Sequence, residues 1–352
     1  MKRISRDHAR FDLMRLLDRY ARSRGSTIHD PQNQAAFLSD LTVDFEVNRS
    51  NEILIHGLRT QAMFAYVAAA LGRCVVIKEE DAGEIYTSNP TMRAPDFRIV
   101  GVDGQEFLVE VKSHRPRRPS SAYSMTRSYF ESLHAYAATF SRPLYFAIYW
   151  SQMRVWALVP AEGLRAQGDR YVLPMADAFK QNEMALLGDV MIGTVPSLTL
   201  KLYSDPAKPR SIDAEGRAQF TVQRAELFCG DDVILDEKER QIAWFLMNYG
   251  NWPSSPIPSE VCEGRLISTG VRAAPIERPN GDQDFEIVGL LSEMVSRQYN
   301  DITASSGRVD LLAPKRDPDE LGVLIPPGFA GKKLRLWFFI LGRNRIRAEQ
   351  AV

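Results

Sequence analysis

The sequence predicts an α/β protein whose first half holds a layered sandwich around a mixed sheet, and three observations predict it. The alanine-rich run LRTQAMFAYVAAALG has helix-forming composition and stops at Gly72. The stretch APDFRIVGVDGQEFLVEVKSH, residues 94–114, sets two β-rich runs on either side of an Asp-Gly turn signal. A further helical pattern, SYFESLHAYAATF, leads directly into the strand-like PLYFAIYW and RVWALVP. With the β-branched CVVIKEE ahead of the hairpin, residues 57–160 read helix, three strands, helix, two strands, the order of one compact layered unit.

The elements follow in chain order. Residues 6–24 space Phe11, Leu13, Met14, Leu16, Leu17 and Tyr20 at near-helical intervals among arginines, which predicts a basic amphipathic helix. Residues 41–55, LTVDFEVNRSNEILI, read as strand, turn, then strand or helix entry. The loop 113–121 is rich in Ser, Arg and Pro. From 161 to 235 short alternating segments such as YVLPM, PSLTLKLY and AQFTVQRAELF predict a small β-rich region. Residues 236–249 form a helix with an acidic first turn, closed by Gly250. A Pro-rich linker, a helix over FEIVGLLSEMVSRQY and a terminal strand in GKKLRLWFFILGRNRIR complete the chain. The expected division is therefore a helical segment at 1–40, an α/β domain at 41–160, a β-rich domain at 161–235 and an α+β domain at 236–352, where a winged-helix-like module would fit.

Composition excludes more than it identifies. The 352 residues carry 44 basic and 44 acidic side chains, so nucleic-acid affinity must come from local patches rather than net charge. Three separated cysteines, Cys74, Cys229 and Cys262, give neither a zinc pattern nor a disulfide framework and fit a reducing compartment. The longest apolar stretches are too short to span a bilayer, and the first twenty residues lack the apolar core of a signal peptide, so a cytoplasmic protein is expected. No GxxxxGK[ST] loop occurs, hence no nucleotide cofactor is expected.

The chemistry concentrates in 94–114. Within a strand, Glu110 and Lys112 emerge on one face while Val109 and Val111 pack on the other. Two charges among apolar neighbours need compensation. If 102–104 form a three-residue loop with Gly104 left-handed, Asp96 falls opposite Glu110; a two-residue turn would set Asp96 opposite Val111 and on the wrong face. Paired carboxylates of this kind bind a hard cation through oxygen.

At Pro95-Asp96 and Glu110-Val111-Lys112, with a hairpin of the usual length between them, the chain resembles the PD-(D/E)xK nuclease superfamily. The resemblance covers about residues 50–160 and implies a restriction-endonuclease-like α/β sandwich, similar to the core of Holliday-junction resolvases. It implies metal binding by Asp96, Glu110 and Val111, with Lys112 orienting or deprotonating the attacking water. It further implies Mg²⁺, for which Mn²⁺ could substitute. The preceding helix normally adds an acid, but the matching slot holds Gln61, and Glu52, Glu79, Glu80 or Asp81 stay open as substitutes. Asp236-Glu237-Lys238 repeats the triplet at a helix start and is read as helix-end charge.

Downstream, KSHRPRRPSSAYSMTR contains no acid, which predicts phosphate contacts from Ser113, His114, Arg115, Arg117, Arg118 and Arg127. The expectation is a metal-dependent DNA endonuclease of restriction, phage-defence or mobile-element type, working with a partner protein or as a homodimer. Two alternatives stay open: a structure-specific resolvase or transposon-end nuclease, and a non-catalytic DNA-binding or assembly subunit that keeps the fold.

Overall fold

The structure, a computed structural model, describes residues 1–3, 8–115, 118, 121–276, 283–315, 317–318, 325–326 and 328–341, with the backbone alone for 8–11. Two helices lead in, α1 (His8–Ser23) and α2 (Pro31–Arg49), followed by α3 (Glu52–Ala70). Asp30 caps α2, accepting from the Gln32 amide ahead of Pro31, and Asn51 caps α3 by accepting from the Leu54 amide.

Residues 41–49 are thus helix where a strand is expected. Val43, Phe45 and Val47 alternate in sequence, yet all three are exposed on α2, so the period of two reports no buried face.

The mixed α/β architecture is borne out. Strands β1 (Cys74–Glu79), β2 (Phe97–Gly101) and β3 (Glu106–His114) run antiparallel in sequence. After a short strand β4 (Tyr123–Thr126) and helix α4 (Arg127–Thr139), β5 (Leu144–Trp150) pairs parallel to β3, and β6 (Val155–Pro160) pairs antiparallel to β5. The sheet order is β1-β2-β3-β5-β6. The crossover through α4 is the helical connection a parallel pair requires.

Alternation along β3 sends each face to a different core. Val109 and Val111 join Phe64, Val67, Phe97 and Trp156 beneath α3, while Leu108 joins Phe130, Leu133, Phe146 and Trp150 beneath α4. Phe64, Leu108 and Phe146 are fully buried, and truncating one to Ala would cost about 3–5 kcal/mol.

The α3-side core continues into the rest of the chain through Leu198, Phe245 and Tyr299. An antiparallel sheet there orders Asp232–Ile234, Val222–Cys229, Leu198–Ser204, Arg265–Ala273 and Ser254–Cys262. The stretch expected as a Pro-rich linker is its last strand: Pro256 and Pro258 sit on a sheet edge, where a missing N–H has no partner to lose. The helix expected over 285–299 is split. Glu286–Leu290 pairs with Met191–Thr194, and only Leu291–Thr303 is helical, its first turn held by Asp189, which accepts from both the backbone N–H and the hydroxyl of Ser292. At the C-terminal side Leu336–Phe339 forms a strand; the basic residues from 343 onward lie outside the described ones. Among the described residues no helix is long and apolar enough to cross a membrane.

Candidate metal and phosphate site

The β2–β3 hairpin closes through a three-residue loop. The Gly104 amide donates to Gly101 at 3.0 Å, the Gly101 amide donates to Gln105 at 2.9 Å, and Gly104 takes φ +78°, a conformation glycine adopts without steric cost. Phe97 therefore faces Val109, which brings Asp96, one residue before β2, into line with Glu110.

Two elements hold the Asp96 carboxylate. Gln61, on the sheet-facing side of α3, donates its side-chain amide to Oδ1 at 2.5 Å, and the Val111 backbone N–H donates to Oδ2 at 2.6 Å. The Glu80 amide donates to the Asp96 carbonyl at 2.9 Å, tying the end of β1 to the same point.

Glu110 is 2% exposed. Its Oε1 accepts from Lys112 Nζ at 2.5 Å and from the Tyr129 hydroxyl, while Lys112 also donates to that hydroxyl at 3.0 Å. Asp96, Glu110, Lys112, Gln61 and Tyr129 line one cleft of about 470 Å³, together with Asp81 and Arg93.

Burial and the nearby Glu110 charge push the Asp96 carboxyl up to about 7, against the opposing Val111 N–H and Lys112. Burial, then the charges of Glu79 and Glu110, also raise Asp81. For Lys112, burial favours the neutral amine, but Glu110 and Tyr129 outweigh it and raise the group, so it remains an ammonium. The cleft thus gathers more acid than base.

These donors fit a hard divalent cation. Burial first, and then the neighbouring Glu110 charge, drive the Asp96 carboxyl toward its neutral form, a condition a cation would relieve. Among the described residues no three His, Cys, Asp or Glu converge as a metal cluster. The oxygens beyond Asp96 and Glu110 would come from the Val111 carbonyl, Gln61, water and substrate, a donor set suited to Mg²⁺, which keeps several waters.

The candidate acids near Gln61 separate clearly. Glu52 opens α3 nine residues earlier, about 13 Å away along the helix axis. Glu79 is exposed. Glu80 is 5% exposed but turned to Arg98 and to the Tyr136 hydroxyl, which donates to it at 2.6 Å. Asp81 alone of the four reaches the cleft. Asp236 is the cap of the Glu237–Tyr249 helix, accepting from the Glu239 amide, as expected of helix-end charge.

The expected phosphate contacts scatter. Ser113, Arg115 and Arg118 are exposed, and Arg117 lies outside the described residues. His114 is half-buried, edge-on to Trp150 and Tyr123 at 4.8 and 5.7 Å, with Nε2 3.3 Å from the Ser121 carbonyl. Arg127 donates to the Gly168 carbonyl at 3.0 and 3.2 Å and pairs with Glu131 at 3.5 Å.

Sequence reasoning missed Tyr129 and Arg93. Tyr129 is one of the aromatic rings in the helical SYFESLHAYAATF, and the usable signal was its place in the first turn of a helix whose cap, Thr126, follows the basic loop. Arg93 falls between CVVIKEE and the hairpin at 94–114, in a stretch with no periodic pattern to mark it.

No family model matches this chain, and no curated protein matches it. Among solved structures, the Holliday junction resolvase Hjc of Archaeoglobus fulgidus aligns at 16% identity, covering 38% of this chain and 96% of its own, with a TM-score of 0.29. At those values the reading of the site rests on its own geometry.

Proposed function

We propose that residues 52–160 form a metal-dependent nuclease domain of the PD-(D/E)xK type that hydrolyses DNA phosphodiesters. The observation that carries this reading is the hairpin register, which gathers Asp96, Glu110 and Lys112 in one cleft. An excess of buried acid over base in a cleft marks a site kept for a ligand more often than one kept for stability.

Asp96, Glu110 and the Val111 carbonyl would hold Mg²⁺ or Mn²⁺, with Gln61 bracing Asp96. When bound, the cation supplies Lewis-acid polarisation of the phosphoryl oxygen and a more acidic water. Lys112, held as an ammonium, offsets the negative charge that grows on the phosphorane oxygens. A protonated Lys112 orients the water rather than deprotonating it. The exposed Arg115 and Arg118 contact the DNA backbone, and elements beyond residue 160 supply target or partner recognition.

A restriction, phage-defence or mobile-element setting is the preferred one, with a branch- or end-specific nuclease as the alternative within the same chemistry. The test is incubation of plasmid, linear, branched and single-stranded DNA with wild-type protein and Lys112→Ala in Mg²⁺ or Mn²⁺. Cleavage by wild type alone is the expected result. No cleavage of any substrate, with no metal-linked rise in melting temperature, would leave a DNA-binding subunit as the better reading.

A further inference from the structure

Tyr129 makes contacts that the chemistry above does not use. Its hydroxyl donates to Glu110 Oε1 and accepts from Lys112 Nζ at 3.0 Å, and Lys112 Nζ also stands 4.9 Å from the ring centroid. The Arg93 guanidinium lies 5.5 Å from the same ring, and the Arg93 backbone N–H donates to the Ser132 carbonyl of α4 at 3.2 Å. One side chain in the first turn of α4 therefore touches both cations of the cleft and one of its carboxylates.

We propose that Tyr129 is the positioning residue of this site and Arg93 its phosphate contact, an assignment that rests on the nuclease reading. Lysine and arginine side chains lose much rotamer freedom when fixed, so a cation that must meet a developing charge works best when already anchored. The hydroxyl anchors Lys112 against Glu110, and both bonds fall on Oε1, leaving Oε2 outside that triad. The ring face seats Arg93, which is exposed and lines the cleft beside Asp96 and Glu110. A guanidinium in that place can take two non-bridging phosphate oxygens through its planar fork.

The two contacts of Tyr129 come apart in different variants. Tyr129→Phe keeps the ring and removes the hydroxyl, so kcat should fall about 10- to 100-fold while DNA affinity in EDTA stays at the wild-type value. Tyr129→Leu removes both, adding a loss of DNA affinity of about 2- to 5-fold that Arg93→Ala should match. Wild-type cleavage by Tyr129→Phe, or wild-type DNA affinity in Tyr129→Leu and Arg93→Ala, would overturn the assignment.

A measurement without DNA or metal separates this from failure of the nuclease reading. The side-chain order of Lys112, followed by NMR relaxation of its ε-methylene in metal-free protein, should fall in Tyr129→Phe, because the ammonium loses one of its two anchors. Unchanged order would overturn the positioning role whether or not the wild-type protein cuts DNA.

Discussion

Two acidic clusters share one sheet and obey different rules. Beside α4, Glu80 and Glu106 meet Arg98 through short ion pairs, Arg142 closes on Glu106 at 2.9 Å, and Tyr136 donates to Glu80. Burial alone would raise Glu80, but the Arg98 and Tyr136 hydrogen bonds outweigh it and leave its carboxyl lowered. At the cleft, Lys112 is the one cation bonded to the Asp96–Glu110 pair among the described residues, and Asp96 is raised. The first cluster matches its acids with its own cations, whereas the second leaves Asp96 raised, which on the nuclease reading proposed above is the charge a bound cation would balance. The clusters differ in depth as well as in cations: the Glu106 side chain is 23% exposed where Asp96 and Glu110 are nearly buried, so the cleft acids have both fewer cations and less solvent to balance them.

The widest separation should appear in paired substitutions. Asp96→Ala or Glu110→Ala should lower kcat by at least about 100-fold with DNA binding nearly intact, while Glu80→Ala leaves cleavage near wild type and costs about 1–3 kcal/mol in urea melts, because Arg98 keeps only Glu106 and the Tyr136 hydroxyl loses its acceptor. Lost cleavage in Glu80→Ala at temperatures where the variant is folded would merge the two clusters into one site.

The pH dependence of stability should have opposite signs. A raised Asp96 holds its proton in the folded state between about pH 4 and 7, where the unfolded chain has lost it, so its contribution is full below that window and disappears as pH rises through it. Glu80 is lowered, so its contribution is present above its ordinary range and lost as pH falls. In metal-free thermal melts, Asp96→Asn should flatten the loss toward neutral pH and Glu80→Gln the loss in acid. Identical pH profiles for the two variants would remove the distinction.

Gln61 and Asp81 sharpen what the cleft lacks. Gln61→Ala strands Asp96 Oδ1 and should reduce cleavage about tenfold, whereas Gln61→Glu adds an acid and should tighten Mg²⁺ binding in calorimetry. If Asp81→Ala abolishes metal binding and Gln61→Ala changes nothing, the loop after β1 supplies the third ligand. The smallest effect belongs to the rim: each of Arg115→Ala and Arg118→Ala should weaken DNA binding at every sequence and lower the salt slope by about 1.

Much of this was legible in the sequence because it is local. Alternation along FLVEVK separates Val109 and Val111 from Glu110 and Lys112, and the Asp-Gly pair marks the turn, since both depend only on backbone geometry and the glycine at 104. Local pattern misled where burial is not periodic. Val43, Phe45 and Val47 imitate a strand on an exposed helix, and Pro256 and Pro258 imitate a linker in an edge strand, because propensity yields to position in the sheet.

The sequence by itself determined the hairpin, its register options and the carboxylates it presents. Only the tertiary structure decided which option holds, that Asp96 meets Gln61 from 35 residues away, that Glu80 is consumed by Arg98 while Asp81 reaches the cleft, and that Tyr129 closes over Lys112. The physical reason is range: a strand fixes which way its own side chains point, but the charge balance of a site is a sum over groups that meet only when helix and sheet pack.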